Sequence, residues 1–227
     1  MIINDKIDMS VLKQMFKKDR FCLPYSVSDI QQALLIAYEV EVRGRGGKMV
    51  GWLGEKTVSD LMLPIAEWLT SPLEKNGLLL YGGVGTGKTT ALYALRRVIN
   101  ASCKATPNDN TLRGFGSDMI EVVKAKHIVE CYTSDQTRYL AMKRTDLLAI
   151  DELGVENVDV KNYGNSSEPI IDLLSYRYDK QKMTAVTSNL TMKQIEERYG
   201  LRLADRFNEM FHKVAFVGES YRKTTRQ

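Results

Sequence analysis

Residues 82–89, Gly-Gly-Val-Gly-Thr-Gly-Lys-Thr, constrain this chain more than any other stretch. They match the pattern G-x-x-x-x-G-K-[ST], which arises by chance in about one chain in a hundred of this length. An apolar run, residues 77–81 (GLLLY), precedes them. An amphipathic stretch follows, with Leu92, Leu95 and Ile99 beside Ala91, Ala94 and Val98. Strand, glycine-rich turn and helix in that order build a phosphate cradle. Glycines let backbone N–H groups close around the anion, and the helix N-terminus adds the positive end of its dipole. The nucleotide-binding residues expected here are Gly82, Gly83, Val84, Gly85, Thr86, Gly87, Lys88, Thr89 and Thr90. Lys88 would reach the β- and γ-phosphates and Thr89 would offer a hydroxyl to Mg²⁺, so ATP and Mg²⁺ are the implied ligands.

A second element is needed to hold the metal. Leu147-Leu148-Ala149-Ile150-Asp151-Glu152 is an apolar strand that ends in two acids. An open α/β sheet places its ligand chemistry at the C-terminal ends of its strands. Asp151 is the candidate Mg²⁺ ligand, and Glu152 the candidate acceptor of a proton from the attacking water. The interval from Thr89 to Asp151 has room for a helix, a strand and another helix. An extra strand between the two motif strands, with Glu after Asp, is the arrangement of hydrolysing, ring-forming ATPases of this motif class.

The remainder reads as strands alternating with helices. Strands are predicted at 77–81, about 119–123, 146–150, 183–188 and about 213–217. Helices are predicted near 88–100, 125–143, 168–181 and 192–211, the last broken at Gly200. That alternation predicts an α/β fold with a five-stranded parallel sheet between helices. Residues 102–118 are polar and predict a surface loop. Toward the N-terminus, Val11, Leu12, Met15 and Phe16 form a short amphipathic pattern. A stronger helix is expected from Ser28, with Gln31 completing a capping box and Ile30, Ala33, Leu34, Ala37 and Tyr38 on one face. The glycine-dense stretch 44–54 marks a boundary, and Thr57 or Ser59 is expected to cap a helix ending near Thr70.

Composition excludes several classes. No apolar run approaches the ~18 residues of a membrane helix. The three cysteines, Cys22, Cys103 and Cys131, are far apart and include no CxxC pair, so neither a disulfide framework nor a zinc site follows, and a reducing cytoplasm is the expected location. Net charge is +4, and residues 1–75 are balanced, so the surplus belongs to the later part.

The runs GLLLYGGVGTGKTTALYA, DLLAIDELG, TSNL and GLRLADRF, in this order, resemble the DnaC/IstB-like branch of AAA+ ATPases, which contains replicative-helicase loaders and transposition helpers. Ser220-Tyr221-Arg222 is similar to the branch's closing SYR. The resemblance implies that Asn189 is the sensor-1 residue that orients the lytic water or reads the γ-phosphate. It implies that Arg206 is the arginine finger, acting in trans on a neighbouring subunit's nucleotide, so a homo-oligomer is expected. Arg202, one helical turn earlier, is the other candidate. Residues 207–227 have room for one strand and a tail, so an AAA+ core without a C-terminal lid is expected. The chain then divides into a helical N-terminal segment, 1–50, for partner docking, and an ATPase core, 51–227.

A protein partner, helicase or transposase, is implied by the same resemblance, with no membrane involved. Lys124, Lys126, Arg138, Lys143 and Arg144, with Lys213, Arg222, Lys223 and Arg226, offer a path for single-stranded DNA, and Tyr132 or Tyr139 a stacking surface. The leading expectation is a DnaC-like helicase loader that binds and hydrolyses ATP. The alternatives are an IstB-like transposition helper, an ATP-switched binding module without turnover, and a small-molecule kinase. His127 and His212 are assigned no role.

Overall fold

The phosphate-loop strand finds its neighbours through chain crossovers rather than hairpins. The computed structural model describes residues 20–48, 52–53, 56–72, 74–105, 119–162 and 165–218. From α1 (Val27–Gly44) the chain passes through a hairpin, β1 (Trp52–Leu53) and β2 (Lys56–Thr57), into α2 (Val58–Thr70). Next come β3 (Gly77–Gly82), α3 (Lys88–Ala105), β4 (Glu121–Lys124), α4 (Ala125–Ser134), α5 (Gln136–Arg144) and β5 (Leu147–Leu153). A second hairpin, β6 (Val160–Asn162) and β7 (Asn165–Ser167), leads to α6 (Pro169–Asp179), β8 (Met183–Ser188), α7 (Met192–Tyr199), α8 (Leu201–Met210) and β9 (Phe211–Phe216).

Five strands form one sheet in the order β4-β5-β8-β3-β9, and every adjacent pair is parallel. This is the expected α/β architecture. Both faces of the sheet are covered, because alternate residues of each strand point to opposite sides. Leu78 and Leu80 pack into a cluster with Leu34 and Tyr38 of α1, Ile65 and Trp68 of α2 and Leu92 of α3. Leu79 packs on the other side with Ile128, Leu173, Ile195 and Phe207 from α4, α6, α7 and α8. Each such buried side chain contributes roughly 1.5–3 kcal/mol of transfer free energy.

Several local expectations change. Helix α1 is capped by Ser26, whose hydroxyl accepts from the Asp29 amide at 3.1 Å, not by Ser28. Gln31, expected in that cap, instead donates to the Ser59 carbonyl at 3.1 Å and so ties α1 to α2. Thr57 caps α2, with Asp60 completing a reciprocal box. The helix predicted over 125–143 is two helices, because the Asp135 side chain accepts from the Arg138 amide and starts α5 afresh. Strand β4 lies later than predicted, β9 starts earlier, and α3 runs on to Ala105. The capping box of Thr191 and Gln194 forms, and Gly200, at φ 85°, breaks the helix pair there. Residues 11–16 and most of the 102–118 loop lie outside the described residues. Among the described residues no helix is long and apolar enough to cross a membrane.

Candidate functional site

The phosphate loop joins β3 to α3 and is shaped by backbone that side chains tolerate poorly. Gly82 has φ 142°, and a Cβ there would lie 2.2 Å from the Phe216 carbonyl oxygen of the adjacent strand. Gly85 and Gly87 also have positive φ, at 81° and 92°. Lys88 opens α3 and folds back over the loop. Its ammonium donates to the carbonyls of Gly82 at 2.9 Å and Gly83 at 2.5 Å. Thr86 also donates to the Gly83 carbonyl, at 2.9 Å. Burial pulls the Lys88 ammonium down to about 8, with nearby Asp151 opposing the shift. A partly desolvated cation held by two neutral carbonyls and, at 3.4 Å, the Thr86 hydroxyl is poised to accept an anion.

One residue further, the Thr89 hydroxyl donates to Asp151 Oδ1 at 2.9 Å, joining the two sequence motifs across 62 residues. Asp151 is buried at 2% exposure on β5, and the same oxygen accepts the Thr187 hydroxyl at 2.6 Å. Glu152 follows at φ 60°, where the register of β5 against β8 shifts. Its carboxylate meets the Lys124 ammonium at 3.1 Å, and that contact raises the lysine's proton affinity.

Lys88, Thr89, Glu152 and Thr187 face a cavity of about 460 Å³ at the C-terminal edge of the sheet. Residues 84–90, Glu152 and Asn189 line one side. Tyr38, Val42, Arg45 and residues 46–48 line the other. The N-terminal helix thus walls the cavity through its C-terminal end, where Arg45 lies over the Tyr93 ring at 5.5 Å and reaches the Thr90 hydroxyl at 3.4 Å. Sequence reasoning missed this wall. The turn glycines at 44–47 carried a boundary signal, which says nothing about what the turn faces.

The residues fit a Mg²⁺ nucleotide. Thr89 and Asp151 present two hard oxygens in contact, and among the described residues no cluster of three or more His, Cys, Asp or Glu could hold a metal by itself. Such a sparse set suits Mg²⁺, which binds through one or two carboxylates plus phosphate and water. Thr89 and Asp151 would hold it, and Gly82 to Thr90 would hold the phosphates.

Asn189 reaches the cavity rim, whereas Arg202 and Arg206 on α8 do not line it. Arg206 is engaged within its own chain, 3.4 Å from Asp179 and stacked over the Tyr178 ring at 5.0 Å. Arg202 is exposed. The expected DNA path is weaker than its sequence pattern. Lys124, Lys126, Arg138 and Lys143 are each paired with a carboxylate, from Glu152, Glu130, Glu121 and Asp172. Tyr139 cannot offer a stacking face. It is 2% exposed, and its single hydroxyl proton is shared between Asp172 Oδ2 at 2.8 Å and the Pro169 carbonyl at 2.9 Å. Tyr132 packs edge-on against it at 5.0 Å. Arg222, Lys223, Arg226 and the Ser220-Tyr221-Arg222 run lie outside the described residues.

Comparison with known proteins adds the following. The family described as IstB-like ATP binding protein matches residues 67–227. The replication factor C large subunit of Thermoplasma acidophilum is 26% identical over 190 residues, which cover 71% of this chain and 43% of that protein. The chain therefore spans less than half the length of that curated relative. Among solved structures, the DnaC helicase loader superposes with a TM-score of 0.50 at 17% identity, covering 72% of this chain and 93% of that one. DnaI superposes with a TM-score of 0.45 at 21% identity, covering 65% and 75%.

Proposed function

The chain belongs to the family of IstB-like ATP-binding proteins, and on that premise we propose that it is a Mg²⁺-dependent ATPase that serves a DNA-bound protein assembly as a transposition helper. The observation that carries the nucleotide chemistry is the contact of Thr89 with Asp151 beneath the phosphate loop. Two oxygen ligands, a desolvated lysine and a second acid at one cavity are what ATP hydrolysis requires. The helicase-loader reading stands behind this one, because the likeness to the DnaC loader is one of fold at 17% identity.

Bound Mg²⁺ would supply charge stabilisation to the phosphate oxygens. The protein's own residues do the rest. Lys88 exchanges the carbonyls of Gly82 and Gly83 for phosphate oxygen, and the loop amides take the remaining oxygens. Glu152 accepts the proton of the attacking water, which Asn189 orients from the cavity rim. Arg206 exchanges Asp179 for the nucleotide of a neighbouring copy.

The Lys88 exchange has a pH signature. A phosphate partner raises the lysine's proton affinity above its unliganded value of about 8. Binding therefore takes up a proton once the pH exceeds that value. Affinity is expected to be flat below about pH 8 and to fall as pH rises beyond it, by up to about tenfold per unit. Titration of Mg²⁺-free ATP binding from about pH 7.5 to about pH 9.5 checks this, and a flat profile would remove Lys88 from the phosphates.

The trans role of Arg206 is tested by mixing. Arg206→Ala subunits and Glu152→Gln subunits, each inactive alone, should regain ATP hydrolysis when co-assembled. A mixed assembly contains interfaces at which an intact Arg206 meets an intact Glu152. No recovery in verified mixed oligomers would sink the trans assignment.

A further inference from the structure

We propose that Thr187 is a positioning residue for both acids of the nucleotide site: its hydroxyl aims the Asp151 carboxylate at Thr89 and holds the backbone turn that presents Glu152. This rests on the ATPase reading above and names how that site is kept in register. Thr187 lies in β8 with 2% exposure, where its sequence context reads only as a buried strand threonine.

A threonine hydroxyl has one proton and two lone pairs. Here the proton goes to Asp151 Oδ1 at 2.6 Å, and a lone pair accepts the Glu152 N–H at 2.9 Å. Both bonds cross from β8 to β5 where the register shifts between Ile150 and Leu153. Regular pairing stops at Ile150, and the Thr187 oxygen serves the Glu152 amide in place of a ladder carbonyl. Glu152 sits there at φ 60°, a conformation that costs a non-glycine residue free energy and persists only where its surroundings impose it. Without the Thr187 acceptor, a part-buried amide loses its partner and the turn can relax toward ordinary strand geometry. The Glu152 side chain would then swing with it.

The same hydroxyl sets the rotation of the Asp151 carboxylate. Oδ1 accepts from two threonines, Thr89 at 2.9 Å and Thr187 at 2.6 Å, so it is pinned between the phosphate-loop helix and β8. Two residues after Thr187 the chain reaches Asn189 at the cavity rim, and between them Ser188 donates to the Leu153 carbonyl at 2.8 Å. The acid strand and the Asn189 strand are thereby laced together on both sides of Glu152.

Thr187→Val keeps the β-branched shape and removes both hydrogen bonds; Thr187→Ser keeps both. In the intact 227-residue chain, Thr187→Val should leave ATP affinity without Mg²⁺ unchanged. It should raise the Mg²⁺ concentration for half-maximal tightening of ATP binding, and lower turnover, each by roughly tenfold or more. Thr187→Ser should restore both to within about threefold of the parent. If the valine variant does not fold, Thr187→Ala, which removes the same two hydrogen bonds and introduces no new group, is measured in its place. Unchanged Mg²⁺ response and turnover in a folded Val or Ala variant, or a serine variant as impaired as valine, would overturn the proposal. An unsubstituted chain that tightens on ATP with Mg²⁺ yet releases no phosphate would instead defeat the ATPase reading, and the Mg²⁺ response would still report on Thr187.

Discussion

Glu152→Gln is expected to lower ATP turnover by on the order of 10²–10⁴-fold while nucleotide affinity stays at or above the parent value. Glutamine matches glutamate in shape and still offers an oxygen to Lys124, so the turn at φ 60° and the Thr187 bond to the residue's amide have no reason to move. What disappears is the ability to accept a proton. A negative charge is also removed from a cavity that would hold a triphosphate, which favours binding. Lys88→Ala should behave differently. It removes the cation that sits over the Gly82 and Gly83 carbonyls, and both affinity and turnover should fall, the latter by on the order of 10²–10³-fold. Binding titration with single-turnover hydrolysis separates the two patterns. Parental turnover in folded Glu152→Gln would take the proton-accepting role away from this residue.

Arg177→Met should cost roughly 3–5 kcal/mol of stability, with no loss of nucleotide affinity in the folded protein. Arg177 is fully buried on α6, at 0% exposure. Its guanidinium donates to the carbonyls of Met183 at 2.6 Å, Thr145 at 2.7 Å and Met142 at 3.2 Å, and to the Thr184 hydroxyl at 2.8 Å. Those acceptors belong to the last turn and C-cap of α5, just before β5, and to the start of β8, so one side chain ties these segments together at the N-terminal edge of the sheet. Burial pulls the group down to about 9, and Asp146 opposes the shift. It therefore stays charged at neutral pH, with every partner an acceptor. Methionine fills much of the volume and leaves the carbonyls unpaired. Lysine could not rescue it, because a single ammonium cannot span acceptors arranged for a planar fork. Denaturant unfolding measures the loss, and a cost under about 1 kcal/mol would contradict the role given to Arg177.

Arg177 also shows where reading residues in order stops. In the run Ser175-Tyr176-Arg177-Tyr178 nothing separates a solvated helix arginine from a buried one that ties α5 to β8, because its partners come from residues 142–146 and 183–184. Thr187 and Tyr139 follow the same rule. Their residue types were visible, but whether a hydroxyl meets Asp151 or Asp172 depends on contacts across 36 and 33 residues. Local signals fared better where the physics was local. The Thr191 and Gln194 box, the break at Gly200 and the β3–loop–α3 unit each depend on neighbours a few positions apart. The shift from Ser28 to Ser26 at the start of α1 has a simple cause. Both serines have a polar residue three positions on, and Gln31 was already taken up by Ser59 of α2.

By itself the sequence determined the phosphate loop, the acid-tipped strand and the alternation that makes a parallel sheet. Each is written in periodicity, glycine placement or a motif whose members are chain neighbours. Only the tertiary structure decided three further things: that α1 walls the nucleotide cavity, that Arg206 rests on Asp179 and Tyr178, and that Thr187 binds both acids. The reason is loop closure. These contacts exist only after distant segments are brought together by burying the two faces of the sheet, and no local propensity encodes which side chains that burial sets opposite one another.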